Sequence, residues 1–188
     1  MTGVEFGVFV VPDASGREAV VDQVVRADRA GLDFVGIQDH PYQRRFLETF
    51  SLLAFLAART SRIRLFPDVA NLPLRRPAVL AKAAATIDLL SGGRFELGLG
   101  AGAFWEAIDD AARRAGRDPA QVRRVANVSP GNGFLDGPVE EQVEQLVGLV
   151  RELRFEAFVF PLGEDPARDI ERLAGEVAPG VRSALGQS

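Results

Sequence analysis

Asp39 and His40 form an adjacent pair at the end of a predicted strand, and they are the residues best suited to proton transfer or to contact with a flat ring. An imidazole exchanges its proton near neutral pH, so His40 is the candidate catalytic residue. The alternative is a histidine that caps or orients the loop beginning at Pro41, and spacing alone leaves both open. Because His40 is the only histidine and its neighbour Asp39 should point elsewhere, we expect no metal site.

Alternating glycines form a second candidate site, at Gly98, Gly100 and Gly102, with Leu99 and Ala101 between them. They follow a predicted strand and precede a predicted helix, as the dinucleotide-binding fingerprint does. The spacing after the second glycine and the position late in the chain do not match that fingerprint. Alternating glycines typically remove side chains where a flat ring or a neighbouring strand comes close. Bending of the sheet is the competing explanation.

Aromatic residues could wall an apolar substrate pocket beside these two candidates; they are Phe9, Tyr42, Phe46, Phe104 and Trp105. Aromatic side chains at such positions more often serve packing than recognition. No Gly-x-Ser-x-Gly segment and no cysteine is present, so the sequence supports neither a hydrolase triad nor a thiolate nucleophile.

Composition narrows the classes of partner. The 188 residues carry a net charge of −4 with both signs interspersed, which argues against nucleic acid, because its binders cluster Lys and Arg on one face. No apolar run approaches the roughly 20 residues that cross a bilayer, so we expect no membrane contact. The lack of cysteine, together with a start that has neither a basic leader nor an apolar stretch, favours the reducing cytoplasm.

Short apolar segments alternate with segments of helical periodicity along the whole chain. The apolar segments are mostly continuous, which is typical of a parallel sheet covered by helices. The pattern predicts six strand–helix units of about 30 residues each, in a single domain over residues 1–188. The predicted strands are 4–11, 33–39, 62–71, 94–100, 122–128 and 155–160, and the predicted helices are 17–30, 48–59, 77–90, 104–115, 139–153 and 166–174.

Six units fit either an open α/β sheet or a shortened TIM-barrel-like (β/α) fold, because an eight-unit barrel typically takes about 250 residues. In both folds, ligands bind where the carboxyl ends of the strands meet. The strand ends at residues 38–40, 68–71, 100–102 and 127–129 are therefore expected to converge on one cavity.

Three segments, residues 31–40, 69–82 and 89–102, resemble the luciferase-like monooxygenase family in the same order and at similar spacing. The resemblance is close from residue 4 to about 108. Residues 111–127 and 139–160 resemble the C-terminal portion of the family. By this resemblance, the chain lacks the family's middle segment of roughly a hundred residues after about residue 108, with the fifth and sixth barrel strands.

The resemblance implies an eight-stranded parallel barrel and an oxidoreductase that uses reduced FMN or the deazaflavin coenzyme F-420 on a small organic substrate. It implies that Asp39 and His40 lie beside the cofactor ring. It also implies that Asp68 and Val69 form a strand-end bulge that often holds a non-prolyl cis peptide, and that the glycine segment leaves room near the ring. The residues implied there are Gly100, Ala101 and Gly102.

Two departures from the family pattern qualify this expectation. The acid that some deazaflavin members carry after the fourth strand corresponds here to Ala103, and much of the family's phosphate-binding loop set lies in the missing segment. Arg75, Arg76 or the loop at residues 131–133 would have to replace the phosphate donors. The alternative function is a non-catalytic flavin-binding protein or a degenerate remnant that has lost full cofactor binding. Strand edges left open by the missing units predict a homodimer.

Overall fold

The computed structural model describes residues 3–100, 105–131 and 134–187, and the side chains of residues 105–108 are outside the description. The strands are β1 Glu5–Val10, β2 Phe34–Ile37, β3 Arg64–Pro67, β4 Val125–Asn127 and β5 Ala157–Pro161. The helices are α1 Arg17–Ala30, α2 Thr49–Arg59, α3 Pro77–Ser91, α4 Trp105–Arg114, α5 Val139–Leu153, α6 Pro166–Arg172 and α7 Ala178–Ala184. Strands and helices alternate from β1 to α3, as the sequence predicts, whereas α4 follows α3 and α7 follows α6 without a regular strand between them.

Five parallel strands form one sheet in the order β3-β2-β1-β5-β4. β1 lies at its centre, where Gly7 is in register with Phe34 of β2 on one side and with Val159 of β5 on the other. The predicted parallel α/β arrangement is confirmed. Helices α1 and α3 end at glycines in the left-handed conformation, Gly31 at φ 91° and Gly92 at φ 71°, where a side chain would be strained.

The predicted six units are not confirmed, because the fourth predicted strand is not a regular strand of the sheet. Residues 94–98 run beside β3, but Phe95 makes only an isolated parallel bridge with Leu65. The Leu65 N–H donates to the Arg94 carbonyl at 2.8 Å, and the Ala70 N–H donates to the Gly98 carbonyl at 2.9 Å. We attribute the weak strand to pairing with β3 on one side alone and to its glycines, which have no side chains to pack.

The sheet has two differently packed faces. The outer face carries the large core against the helices, including Phe6, Val8 and Leu65, all fully buried. The inner face carries a small separate cluster of Phe34, Phe66, Ala157 and Val159, with Phe9 and Val125 packed against it. Because these inner residues come from all five strands, the sheet must curl around them, as it does in a partial barrel.

Side chains join the two ends of the curled sheet. At the amino ends of the strands, Arg64 pairs with Glu5 at 2.7 Å and with Glu96 at 2.8 Å, while Arg123, just before β4, pairs with both acids. We call these four residues the basal network. At the carboxyl ends, the Asn127 side-chain amide donates to Asp68 at 3.1 Å. β3 and β4, the two ends of the strand order, are thus linked without backbone pairing between them in the described residues.

The inner cluster makes a testable contribution to stability. We expect Phe34→Ala to lower the free energy of unfolding by about 3–5 kcal/mol, because Phe34 is fully buried and also lies under the guanidinium groups of Arg64 and Arg123. Phe55→Ala is the matched control, since Phe55 is 51% exposed, and it should cost less than about 1 kcal/mol. Urea unfolding measures both. Equal losses in the two variants would contradict the inner cluster.

Candidate functional site

The candidate site lies at the carboxyl ends of β2 and β3. We call this region the mouth and define it by residues 38–40, the bulge at residues 68–71, the glycine segment at residues 98–100, and Asn127. The peptide bond between Asp68 and Val69 in the bulge is cis, in agreement with the implication of the sequence resemblance. The mouth brings together the strand ends that the sequence analysis selected, as far as the structure describes them.

Asp39 is a buried anchor for the bulge. Its side chain is fully buried, and its carboxylate accepts hydrogen bonds from Arg75 Nε at 2.8 Å, from Arg75 Nη2 at 2.5 Å and from the backbone N–H of Asn71 at 2.8 Å. Burial alone would raise the pKa of Asp39, but the hydrogen bonds from Arg75 and Asn71 outweigh burial and hold that pKa below its ordinary value. Asp39 therefore acts as a charged clamp that fixes the bulge.

His40 is half-buried and held by neighbours on two sides. Its Nδ1 lies 3.0 Å from the side-chain amide nitrogen of Gln38. That nitrogen only donates, so Nδ1 accepts and the neutral imidazole carries its proton on Nε2. The ring stacks on Tyr42 at 5.2 Å between centroids and on Phe46 at 6.4 Å. These contacts fix the orientation of the ring, as a group that exchanges a proton requires.

The glycine segment approaches the bulge closely. A Cβ added at Gly98 would lie 2.7 Å from the Phe66 ring, and a Cβ added at Gly100 would lie 2.6 Å from Val69 Cγ2. Of the two explanations that the sequence left open, close approach of a neighbouring segment therefore applies at these two positions, because the Pro67 carbonyl lies against Gly98 and the Val69 side chain lies against Gly100. The predicted site residues Ala101, Gly102 and Phe104 lie outside the described residues.

The predicted pocket residues have different surroundings. Phe9 packs into the inner cluster at the carboxyl half of β1. Tyr42 is 59% exposed and covers one side of His40. Trp105 begins α4, and its side chain is outside the description. A common pocket formed by these residues stays a prediction.

Asp68 lies on the inner face of the bulge and is 92% buried, from a relative exposure of 8%. One carboxyl oxygen, Oδ1, accepts from Asn127, and the other, Oδ2, is buried without a hydrogen-bond partner among the described residues. The backbone of Gly36 lies against this carboxyl, because a Cβ added at Gly36 would come 2.7 Å from Oδ2. Burial raises the pKa of Asp68, and the amide of Asn127 offsets part of that effect.

Two functional contacts were missed by the sequence analysis. The pairing of Arg75 with Asp39 joins residues 36 positions apart, and that of Asn127 with Asp68 joins residues 59 positions apart. Neither partner is close enough in sequence to give a spacing signal. The position of Asn127 at a predicted strand end was the one available indication.

Large grooves also occur outside the mouth. One of about 850 Å³ lies between α2 and α3, and one of about 730 Å³ lies between α1 and α2, both on the helical exterior. In the described part of the chain, no three His, Cys, Asp or Glu side chains are grouped to hold a metal. The helices described there include none with the length and apolar character that crossing a membrane requires.

The model of the luciferase-like monooxygenase family matches residues 4–127, which is well over half of the chain. The chain belongs to this family. A 5,10-methylenetetrahydromethanopterin reductase of Archaeoglobus fulgidus is 41% identical over 98 residues, which cover 52% of this chain and 28% of that protein. An F-420-dependent glucose-6-phosphate dehydrogenase of Amycolatopsis mediterranei is 38% identical over 119 residues, which cover 60% of this chain and 35% of the relative.

The chain therefore spans about a third of the length of these curated relatives. Among solved structures, an F-420-dependent secondary alcohol dehydrogenase in complex with an F-420–acetone adduct superposes with a TM-score of 0.70. The superposition covers 96% of this chain and 100% of that one, at 12% identity. At this identity the likeness concerns the fold alone, and it agrees with a shortened barrel of the family type.

The clamp on Asp39 leads to a stability prediction. Arg75→Met removes the cation while keeping an apolar stem over the Phe50 ring, which the guanidinium of Arg75 now covers at 4.2 Å. It leaves a buried carboxylate unpaired, so we expect the free energy of unfolding to fall by about 3–5 kcal/mol at neutral pH. Arg76→Met, at an exposed neighbouring position, is the control and should change stability by less than about 0.5 kcal/mol.

The same variant has a defined pH dependence. Because the folded-state pKa of Asp39 is lowered, the stability from this pair is fully present above the ordinary value of 3.8 and is lost as the pH falls through the folded-state value. The difference between the wild-type protein and Arg75→Met should therefore shrink on acidification. Denaturant unfolding at a series of pH values measures it, and a difference that grows toward low pH would refute the clamp.

Proposed function

We propose that this protein is an oxidoreductase that binds reduced FMN or coenzyme F-420 at the mouth and acts on a small organic substrate. Membership of the luciferase-like monooxygenase family and the F-420-dependent dehydrogenase among its relatives support the class. The observation that carries the proposal is the arrangement of the mouth. The bulge, fixed by Asp39 and approached by Gly98 and Gly100, combines an exposed apolar side chain at Val69 with a buried Asp68 oxygen that has no partner among the described residues.

The residues present fit a flat heterocycle. Val69 is 41% exposed beside Gly100, so an apolar side chain is available to one face of a ring. The buried Asp68 carboxyl supplies a hydrogen-bonding group that the described protein residues leave partly unused. Pockets for such ligands typically combine an apolar lining with a few polar groups in this way.

When bound, FMN or F-420 supplies hydride transfer or oxygenation. The protein residues would then position the ring and move a proton. His40, with Nδ1 occupied by Gln38, directs its Nε2 proton away from that hydrogen bond, and Tyr42 shields one ring face from water. This makes His40 the residue that would exchange a proton with a bound substrate or ring.

The cofactor phosphate has no assigned donors. Arg75, one candidate from the sequence, is engaged by Asp39 and by Glu48 at 2.9 Å. Arg76 is exposed, and residues 132 and 133 of the third candidate, the loop at residues 131–133, lie outside the described residues. We propose that ring contacts contribute most of the affinity and that the cofactor binds more weakly than charge-assisted phosphate contacts would allow.

A cytoplasmic homodimer is also proposed. The exposed side of α3 supports association, because Val79, Leu89 and Leu90 are 65%, 82% and 79% exposed. Sedimentation over a range of concentrations should show a dimer. A monomer at all concentrations would remove this proposal without affecting the one for the mouth.

Catalysis at the mouth is tested with His40→Ala. Anaerobic titration with FMN and with F-420, followed by absorbance and fluorescence, should show binding of one of them to the wild-type protein. The variant should keep its ring affinity within a few-fold and lose about 10²- to 10⁴-fold in turnover with the substrate found, because it lacks the proton donor. Tyr42→Phe, which keeps the stacked ring, is the control and should keep most of the activity.

The outcomes separate the competing functions. Unchanged turnover in His40→Ala would refute the role of that residue. Binding without turnover of any substrate would favour the non-catalytic flavin-binding remnant. No binding of either cofactor would end the proposal.

A further inference from the structure

The Asp68 carboxyl and the Asn127 amide meet across the mouth from β3 and β4, the two ends of the strand order. Their hydrogen bond uses one carboxyl oxygen and one amide N–H. Within the described part of the chain, Oδ2 of Asp68 remains buried without a partner, and Asn127 is exposed to solvent. The pair therefore offers an acceptor and a donor side by side at the wall of the mouth.

We propose that Asp68 and Asn127 together bind the cyclic imide edge of the cofactor ring, with Asp68 accepting from the ring N–H and Asn127 donating to an adjacent ring carbonyl. This contact rests on the proposed function, and it would make Asp68 and Asn127 the residues that select which ring binds at the mouth. An imide edge alternates carbonyl, N–H and carbonyl, which complements one carboxylate next to one amide. In this arrangement the buried Oδ2 reaches the ring N–H by a turn of the Asp68 side chain about its Cα–Cβ bond, because rotation about Cβ–Cγ would only exchange the two oxygens.

A glycine beside Asp68 gives this carboxyl its position. Gly36 of β2 lies against Oδ2, so the neighbouring backbone carries no side chain that would displace the acid. A buried polar atom without a partner destabilises the protein, because it loses its hydrogen bonds to water and gains none in return. A ligand N–H at this position removes that cost, which gives the site a reason to prefer a ring that carries the N–H.

Few charged groups act on Asp68. The basal network lies at the opposite ends of the strands, and Asp39, beyond the bulge, is paired with Arg75. His40 is the titratable group at the end of neighbouring β2, while Gly36, Gly98 and Asn127 contribute no charge. Burial raises the pKa of Asp68, so the free protein holds its proton to higher pH than an exposed aspartate. A second N–H donor favours the ionised form, and ring binding should release that proton.

The test compares FMN with 3-methyl-FMN, in which a methyl group replaces the proton of the imide nitrogen. The wild-type protein should bind 3-methyl-FMN about 10- to 100-fold more weakly than FMN, as the loss of one charge-assisted hydrogen bond predicts. Asp68→Ala should bind the two ligands with equal, reduced affinity. Asp22→Ala, at an exposed position on α1, is the control and should discriminate as the wild-type protein does.

The pH dependence supplies a readout that a purely structural role would not move. The FMN affinity of the wild-type protein should rise with pH through the pKa of the free Asp68 carboxyl and then level off. Asp68→Asn keeps the shape of the side chain but does not titrate, so the FMN affinity of this variant should not rise with pH in that range. Asn127→Ala should weaken the binding of FMN and of 3-methyl-FMN by similar factors, because it removes the contact to the ring carbonyl rather than the contact to the ring N–H.

Each result decides the matter. Equal affinity of the wild-type protein for the two ligands, or undiminished discrimination in Asp68→Ala, would overturn the inference while leaving the proposed function standing. If Asp68→Ala does not fold, the affinities of the wild-type protein and of Asn127→Ala for FMN and 3-methyl-FMN still test the inference. If only F-420 binds, 5-deazaflavin and its 3-methyl derivative replace the FMN pair. Failure of both FMN and F-420 to bind would overturn the proposed function as well.

Discussion

The curl of a short parallel sheet around very few inner side chains is the constraint on which the rest of this structure depends. A sheet of five strands has too few strands for the usual eight-stranded barrel, so the space inside it is narrow. Phe34, Phe66, Ala157 and Val159 pack against one another in that space. What brings the strand ends together is therefore contact between side chains, at the base through the two arginines and two acids and at the mouth through one carboxyl–amide pair.

The two carboxyl groups at the mouth have opposite environments, and this difference assigns their roles. Asp39 receives three hydrogen bonds, two of them from a guanidinium, so it stays ionised and immobile. Asp68 receives one bond from a neutral amide and is buried. One acid thus holds the bulge in place, and the other, on the same bulge, keeps hydrogen-bonding capacity for something else. Neighbouring acids whose environments push their pKa values apart commonly take different roles in a site.

Local sequence signals predicted most of the elements but few of the contacts that define the mouth. Helix ends at Gly31 and Gly92, the continuous apolar strands and the positions of β1, β2 and β5 follow from patterns within a few residues. The prediction of a regular strand at residues 94–100 was wrong. The apolar pattern of this segment does not show whether it has a neighbouring strand on each side. The fold class was predicted from pattern and from the resemblance, whereas the number of paired strands depends on pairing between distant segments.

At the candidate site, too, some residues could be predicted from the sequence and others could not. Asp39, His40 and the glycine segment stand at strand ends and could be selected from the sequence, and the resemblance pointed to Asp68 and Val69. The partners that give the acids their properties, Arg75 and Asn127, are set by the bulge and by the curl, which no local pattern reports. Direct contact of any of these residues with a cofactor stays a prediction.

The way in which the curl is closed has a consequence for the history and engineering of this fold. A few polar side chains, rather than a continuous backbone ladder, join residue 96 to residue 123 and residue 68 to residue 127. We call this boundary between the β3 side and the β4 side of the sheet the seam. Extra strands could be added along the seam without breaking any hydrogen bond of the existing ladder. The connection between the two sides is thus the natural place for length variation, and longer and shorter barrels could be interconverted there by recombination.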